Sequence, residues 1–184
     1  MLGGSFDVVT VLRTRLLLTC IATVAAIALG AAVAPALTVR ATPKRITPSG
    51  VGAVKLGRTY RALRAAHLIG GLRPGCELEG ATARSAVLRA PLKGFVDFTH
   101  ATPPKVAAIA VRGGATARGI GIGASLARVR RAFPRATVDR SQESRLDVIL
   151  VKVPKGGGGP LELALVSMTK TVTQIGIPRL KFCE

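Results

Sequence analysis

A segment that decides the fold occurs twice in the chain. Its first copy, Ala53–Ala66, reads AVKLGRTYRALRAA, and its second copy, Gly119–Ala132, reads GIGIGASLARVRRA. The two copies align without gaps at a spacing of 66 residues. In both, an alternating apolar pair precedes a glycine, and a hydroxyl residue follows two places later, Thr59 or Ser125. Alanine and arginine are frequent throughout this chain, so the shared Gly-x-Thr/Ser spacing is the stronger part of the match.

Each copy predicts a strand, a tight turn and a helix. Two alternating apolar residues favour a short strand, and the glycine after them permits the turn. The hydroxyl side chain would then cap the helix by accepting a hydrogen bond from an otherwise unpaired amide. In the second copy Leu126, Val129 and Phe133 recur at helical spacing and would face the core. His67 occupies the place of Phe133 in the first copy, so we expect it to pack there half-buried.

Short strands and turns are predicted after each helix. They fall at Cys76–Glu79, Ser85–Ala90, Gly94–Thr99, Lys105–Arg112, Ala136–Arg140, Leu146–Val153, Leu161–Ser167 and Thr171–Ile177. Gly113-Gly114 and Lys155–Pro160 are predicted to be hairpin loops, and neighbouring short strands joined by tight turns pair antiparallel. The predicted fold class is therefore α+β, with two tandem repeats at about 51–117 and 118–184. Each repeat would be a short helix packed on an antiparallel β-meander.

The apolar-x-apolar-Gly-x-Thr pattern of Val54–Thr59 resembles the repeat of secreted β-lactamase-inhibitor-like proteins. It is also similar to the small outer-membrane assembly lipoproteins of the SmpA/OmlA kind. The resemblance covers about residues 51–184 and implies the fold and export from the cytoplasm. Two features depart from it: Arg58 and Ala124 stand where those families often place methionine, and the chain has only one tyrosine and five phenylalanines. An aromatic-rich inhibitory surface is therefore not expected.

The N-terminal region predicts an export signal. Leu16–Val39 contains no charged residue and follows Arg13 and Arg15. A basic start, an apolar run and the small-residue site Ala34–Ala36 are typical of a signal peptide covering residues 1–36. The alternative is a retained anchor, because 24 uncharged residues are long enough to span a bilayer and contact the membrane through 16–39. Residues 37–50 would form a linker, and in both cases 51–184 would be secreted or face outward in the cell envelope.

The composition of the exported part indicates an anionic partner. Without residues 1–36, 25 lysines and arginines face 8 aspartates and glutamates, a formal net charge of +17. Such a charge favours an anionic polymer, an envelope surface or an acidic protein. The alternative is a coding bias, since the chain holds 19 arginines but only 8 lysines.

Two cysteines remain in the exported part, Cys76 and Cys183. An even number outside the cytoplasm predicts one disulfide bond. It would close the loop from Cys76 to Cys183, and for a loop of roughly 100 residues such a bond stabilises the fold by about 4–5 kcal/mol. Two separate buried thiols are the alternative. His67 and His100 have no cysteine or carboxylate at ligand spacing, so no metal site is expected.

The sequence carries no recognisable catalytic motif. There is no Gly-x-Ser-x-Gly, and Glu77 and Glu79 on one predicted strand are better explained by salt bridges to arginine than by paired carboxylate chemistry. Gly156–Gly159 precedes a proline and a strand pattern, whereas a phosphate-binding loop opens a helix with Gly-Lys-Ser/Thr. We expect no enzymatic activity and no cofactor.

Six arginines are the candidate anion-binding residues, because a planar guanidinium donates two hydrogen bonds to one carboxylate or phosphate. They lie in two rows on the predicted helices: Arg58, Arg61, Arg64, Arg128, Arg131 and Arg135. A solvated helix face is the alternative, and nucleic acid is not expected as a partner because stacking aromatics are missing between the basic residues. The sequence thus predicts an exported, non-enzymatic binding or structural module. The alternatives are a membrane-anchored envelope assembly protein and an enzyme whose site is not visible in sequence.

The two readings of the N-terminal segment predict different mature proteins. Cleavage after Ala36 leaves Leu37 as the first residue, whereas a retained anchor leaves residues 16–39 in place. Mass spectrometry of the N-terminus of the protein isolated from its native host measures the difference. We expect Leu37 first, and an intact segment would contradict cleavage.

Overall fold

The computed structural model describes residues 42–157 and 160–182. The predicted signal segment or anchor and Cys183 lie outside the described residues. Within those ranges, no helix has both the length and the apolar character needed to cross a bilayer.

β-Strands are the main regular structure of the described chain and are accompanied by a few short helices, so the α+β class is correct. The strands are β1 Lys44–Thr47, β2 Gly50–Val51, β3 Val54–Lys55, β4 Ile69–Pro74, β5 Arg84–Leu88, β6 Lys93–Phe98, β7 Val106–Gly113, β8 Ala115–Thr116, β9 Thr137–Asp139, β10 Val148–Val153, β11 Leu161–Val166 and β12 Val172–Ile177. The α-helices are α1 Tyr60–Ala65, α2 Leu126–Ala132 and α3 Glu143–Leu146, and 3-10 turns lie at Glu77–Glu79 and Lys155–Gly157.

Eight strands form one antiparallel sheet in the order β4-β5-β6-β7-β12-β11-β10-β9. Within this sheet, β4 to β7, which precede α2, lie on one side, and β9 to β12, which follow α2, lie on the other. They meet at the centre, where β7 pairs with β12: Val111 lies opposite Ile175, and Ile109 lies opposite Ile177. All four of these side chains are fully buried. One hydrophobic core therefore runs through both halves.

A second, four-stranded sheet in the order β3-β2-β1-β8 contributes to the same core. Val51 and Val54 of this sheet are fully buried, as are Leu63 of α1 and Val129 of α2. All belong to one cluster with the inward-facing residues of the large sheet. The face of the large sheet that is covered by α1, α2 and the small sheet is called the first face.

Both helices begin at the predicted caps. Thr59 Oγ1 accepts a hydrogen bond from the Ala62 amide at 3.3 Å, and Ser125 Oγ accepts one from the Arg128 amide at 3.4 Å. Gly57 precedes the first cap with φ +77°. This left-handed conformation favours glycine because a Cβ would be strained there. The predicted turn and helix are confirmed in both copies, and the predicted strand is confirmed in the first, at Val54–Lys55. The strand predicted at Ile120 and Ile122 is wrong, because Ile120 makes only an isolated bridge with Ala117 and Ile122 is 40% exposed.

Backbone hydrogen bonds fasten the start of each helix to a central strand of the large sheet. The segment before α1 is bonded to the start of β7, and the segment before α2 is bonded to the start of β12. The bonds are Gly57 N to Val106 O (2.9 Å), Tyr60 N to Pro104 O (3.0 Å), Gly123 N to Val172 O (2.7 Å) and Leu126 N to Lys170 O (2.9 Å). The two strands at the centre of the sheet are therefore also the supports of the two helices.

Seven of the eight predicted strands form, with ends that differ by at most two residues. The prediction of a strand at Cys76–Glu79 is wrong, because Glu77–Glu79 is a 3-10 turn. The strand lies earlier, at Ile69–Pro74, and contains the Gly70-Gly71 pair. A register shift between Ile69 and Leu72 accommodates these glycines in the pairing with β5, as a bulge does in many edge strands.

Gly113-Gly114 does not form a hairpin, which corrects a second prediction. Gly113 ends β7, and the chain then leaves the large sheet, because β8 pairs in parallel with β1 of the small sheet. At Gly114, with φ +78°, a Cβ would lie 2.1 Å from the Pro91 carbonyl oxygen. Glycine is required there by this close approach. Lys155–Pro160, in contrast, connects the paired strands β10 and β11 as predicted.

Two further expectations differ from the structure. Strand β1 falls within residues 37–50, which were assigned to a linker, and its Ile46 is only 5% exposed in the core. Pairing with β2 and β8 over long range draws this segment into the fold. His67 is exposed rather than half-buried: α1 is capped at Ala66, and His67 follows it with φ +55°.

Candidate functional site

All six predicted anion-binding arginines are exposed, but the rows are shorter than predicted. Helix α1 begins after its Thr59 cap, so Arg58 precedes the helix and only Arg61 and Arg64 lie on it. Helix α2 ends at Ala132, so Arg135 follows the helix while Arg128 and Arg131 lie on it. The predicted rows implied longer helices than the structure has. Thr59 caps α1, so Arg58 lies before the helix, and Pro134 cannot continue α2.

Three of these arginines are held by the backbone. Arg58 Nη1 donates to the Ala53 carbonyl at 3.2 Å, and Arg64 Nη1 donates to the Ile69 carbonyl at 3.3 Å. Arg128 Nη2 donates to the Gly119 carbonyl at 3.4 Å. Each bond uses one donor of the guanidinium group and leaves others directed to solvent, since arginine carries five N–H donors.

The guanidinium groups of the other three, Arg61, Arg131 and Arg135, make no hydrogen bond or ion pair with any residue in the described ranges. None of the six has a carboxylate partner there. We call Arg61, Arg131 and Arg135 the open arginines. The charge of these three side chains has no partner within the described ranges.

The described residues contain 24 lysines and arginines against 7 aspartates and glutamates. Three of the acidic residues form ion pairs with cations that do not lie on α1 or α2. Asp139 is 2.7 Å from Lys152 Nζ, Glu143 is 2.7 Å from Arg140, and Glu79 pairs with Lys181. The positive charge around α1 and α2 is therefore not neutralised by these pairs.

Arg118 is a basic residue at this surface that the sequence reasoning missed. Its guanidinium carbon lies 5.6 Å from the centre of the Phe133 ring, and its Nη1 donates to the Ala132 carbonyl at 3.4 Å. These contacts bring a residue of the preceding loop onto the end of α2. No spacing pattern marked it, because the contact depends on a turn at Ala117–Ile120 rather than on helical periodicity.

The opposite face of the large sheet carries a smaller cluster and the C-terminal segment. Ala110, Leu150 and Ala164 are buried there beneath Leu180. The Leu180 amide donates to Glu162 Oε2 at 2.8 Å. A Cβ on Gly176 would lie 2.6 Å from Leu180 Cγ, so glycine permits the segment to cross the sheet this closely. We call this face of the large sheet, which lies opposite the first face, the second face.

A recess of about 300 Å³ opens on the second face near its β4 side. Arg73, Ser85 and Asp97 lie side by side on β4, β5 and β6 and line it together. Arg73 Nε donates to Ser85 Oγ at 3.2 Å, and Ser85 Oγ donates to the Pro74 carbonyl at 3.1 Å. Asp97 is only 6% exposed and Ser85 only 5%.

Burial raises the pKa of the Asp97 carboxyl above its ordinary value of 3.8. Lys181 lowers this pKa by attraction, Glu79 raises it by repulsion, and Arg73 lowers it further. The loss of water is the largest of these effects. The two cations nearby therefore do not fully compensate for the burial of this carboxylate.

The residues considered for catalysis do not form a common site. Glu77 and Glu79 lie on an exposed 3-10 turn, and Glu79 pairs with Lys181. His100 Nδ1 lies 2.7 Å from Thr82 Oγ1. Within the described ranges, no hydrogen bond or ion pair joins His100 to either glutamate.

Cys76 is 8% exposed and lines the recess beside Asp97. Its predicted partner, Cys183, lies outside the described residues, so the pairing stays a prediction. The chain end does come close: Lys181, two residues before Cys183, pairs with Glu79, three residues after Cys76.

We expect Asp97→Asn to raise the free energy of unfolding at pH 7. Because the folded-state pKa is raised, the folded chain retains a proton that the unfolded chain has lost, and stability falls as pH rises above 3.8. An amide removes that effect, so the gain should vanish below pH 3.8. Denaturant titrations across pH measure it.

Asp139→Asn is the matched control, because hydrogen bonds from Lys152 and Ser141 lower the pKa of Asp139 instead. Its replacement should leave stability unchanged or slightly lower at pH 7. A loss of stability at pH 7 in Asp97→Asn would contradict this account of the buried carboxylate.

Comparison with known proteins identifies no relative of this chain. No protein-family model, no curated protein and no solved structure matches it. The resemblance of Val54–Thr59 to inhibitor-like and assembly proteins therefore remains a prediction.

Proposed function

We propose that this chain is an exported, non-enzymatic binding or structural module that contacts an anionic partner through the arginines around α1 and α2. One observation carries the proposal: six exposed guanidinium groups have no carboxylate partner within the described ranges, which contain 24 cationic and 7 acidic residues in all. The partner would be an anionic polymer, an envelope surface or an acidic protein.

We also propose that residues 51–117 and 118–184 are tandem copies of one unit, as the sequence predicts. The support is a set of contacts that recur 66 residues later: the capping bonds of Thr59 and Ser125, and the amide bonds of Gly57 and Gly123 to Val106 and Val172. Isolated bridges recur likewise, Thr59 with Lys105 and Ser125 with Thr171. Val51 pairs with Val54 as Ala117 pairs with Ile120.

The six arginines do not follow this repeat. Arg58 and Arg61 correspond to Ala124 and Ala127 at the spacing of 66, and only Arg64 corresponds to an arginine, Arg130. Shared ancestry of the two halves would account for the caps and strands but not for the basic residues. The basic surface is therefore to be tested separately from the repeat.

Export is proposed from the N-terminal segment. Leu16–Val39 would either be removed after Ala36 or remain as a membrane contact, in which case the module would be a membrane-anchored assembly protein. Outside the cytoplasm, a Cys76–Cys183 bond would fix the C-terminal segment on the second face, next to the Lys181–Glu79 ion pair.

Binding to anionic vesicles tests the proposal. The full chain should bind vesicles of equal parts phosphatidylglycerol and phosphatidylcholine at low salt and be released at high salt, because salt screens exposed charges. A basic side chain near such a surface contributes about 1 kcal/mol. The triple variant Arg61→Gln/Arg131→Gln/Arg135→Gln should therefore bind on the order of 100-fold more weakly.

The matched control, Arg89→Gln/Lys93→Gln/Lys155→Gln, removes the same charge from exposed positions outside α1 and α2. Its affinity should fall much less. Equal losses in both triple variants would overturn the assignment to the open arginines. No binding to these vesicles or to polyphosphate at low salt would overturn the anionic partner itself.

A further inference from the structure

The recess on the second face holds a feature that the basic surface does not explain. Asp97 lines it and is only 6% exposed. No hydrogen bond joins its carboxylate to another residue within the described ranges. No side-chain nitrogen or oxygen in the described ranges is both fully buried and without a partner, so the Asp97 carboxylate opens onto the recess. A carboxylate that has lost most of its water without gaining a hydrogen-bond donor is unfavourable in general, so its retention in a protein with few acidic residues calls for a function.

The cations beside Asp97 are bonded to other groups. Arg73 directs its Nε at Ser85 Oγ, and Lys181 pairs with Glu79. Ser85 is also occupied, since it accepts from Arg73 and donates to the Pro74 carbonyl. The recess thus offers a carboxylate that lacks a hydrogen-bond donor, together with the remaining N–H donors of Arg73.

A carboxylate and a guanidinium that line one recess are complementary to a ligand with both charges. Asp97 accepts from an ammonium group, and the terminal nitrogens of Arg73 donate to a carboxylate, to which a planar guanidinium is well matched. Phe95 and Pro74 supply the apolar part of the lining. About 300 Å³ lies at the lower end of the range for ligand pockets, which suits a ligand of amino-acid size.

We propose that this recess binds a free α-amino acid with an apolar side chain, its ammonium group at Asp97 and its carboxylate at Arg73. This inference is independent of the anionic partner proposed for α1 and α2, because the recess lies on the other face of the sheet. A metal ion is a poorer occupant: no group of three His, Cys, Asp or Glu in the described part of the chain is placed to hold one.

Three related compounds test separately the recognition of the ammonium group at Asp97 and of the carboxylate at Arg73. L-Leucine carries both charges, 3-methylbutylamine lacks the carboxylate, and 4-methylpentanoate lacks the amine. Each is titrated into the full chain, with the amide resonances of Ser85, Phe95 and Asp97 followed by NMR. We expect leucine to bind at least tenfold more tightly than either of the other two, with shifts confined to the recess.

Two variants assign the contacts. Asp97→Asn should reduce the affinity for leucine to that for 4-methylpentanoate, and Arg73→Gln should reduce it to that for 3-methylbutylamine. Arg84→Gln is the control: Arg84 lies on the neighbouring strand and donates to the Ala81 and Ala83 carbonyls rather than lining this recess. It should bind leucine as the unmodified chain does.

Equal affinity for all three compounds, no binding of any of them, or undiminished leucine binding by Asp97→Asn would overturn the proposal. The spectrum of each variant shows whether it is folded. Should Arg73→Gln fail to fold, because the bond to Ser85 is lost, Arg73→Lys keeps the charge without the planar fork and should still weaken the binding of leucine.

Discussion

The structure depends on the pairing of β7 with β12. These strands lie at the centre of the eight-stranded sheet, and each also carries the backbone bonds that hold the start of one helix. Ile109, Val111, Ile175 and Ile177 are fully buried along this line. Without the pairing, both strands would be long apolar edges, which proteins generally avoid because free edges recruit other strands.

The continuous sheet separates two surfaces with different chemistry. Its first face is covered by α1, α2 and the small sheet, whose outward side carries exposed arginines. Its second face is crossed by Leu180 and holds the recess around Asp97. Alternation along the strands explains the separation, since successive side chains point to opposite faces. Val96 and Phe98 thus enter the main core, while Asp97 between them faces the recess.

Short-range patterns in the sequence were sufficient for much of the fold. The caps at Thr59 and Ser125 and most strands follow from a few consecutive residues, so they could be predicted. The small sheet could not, because β1 pairs with β8 about 70 residues away and nothing local marks that contact. Strand β4 was missed because its two glycines are typical of a helix end and are tolerated only through a bulge opposite β5.

The two candidate sites also differ in whether the sequence reveals them. The exposed arginines of the helices can be recognised from their spacing in the sequence, although that spacing predicted longer helices than the structure has. The recess is not visible, because Arg73, Ser85 and Asp97 become neighbours only through the registers of three strands. Arg118 was missed for a similar reason, since a loop turn places it over Phe133.

Native-state hydrogen exchange tests the continuous sheet most directly. If β7–β12 pairing unites the two halves, the bonded amides of β7 and β12 should be among the slowest to exchange, with an opening free energy equal to that of global unfolding by denaturant. The amides of β5 and β10, in opposite halves, should share that limit. Faster exchange at β7 and β12 than at β5 and β10, or separate limits for the two halves, would contradict the account.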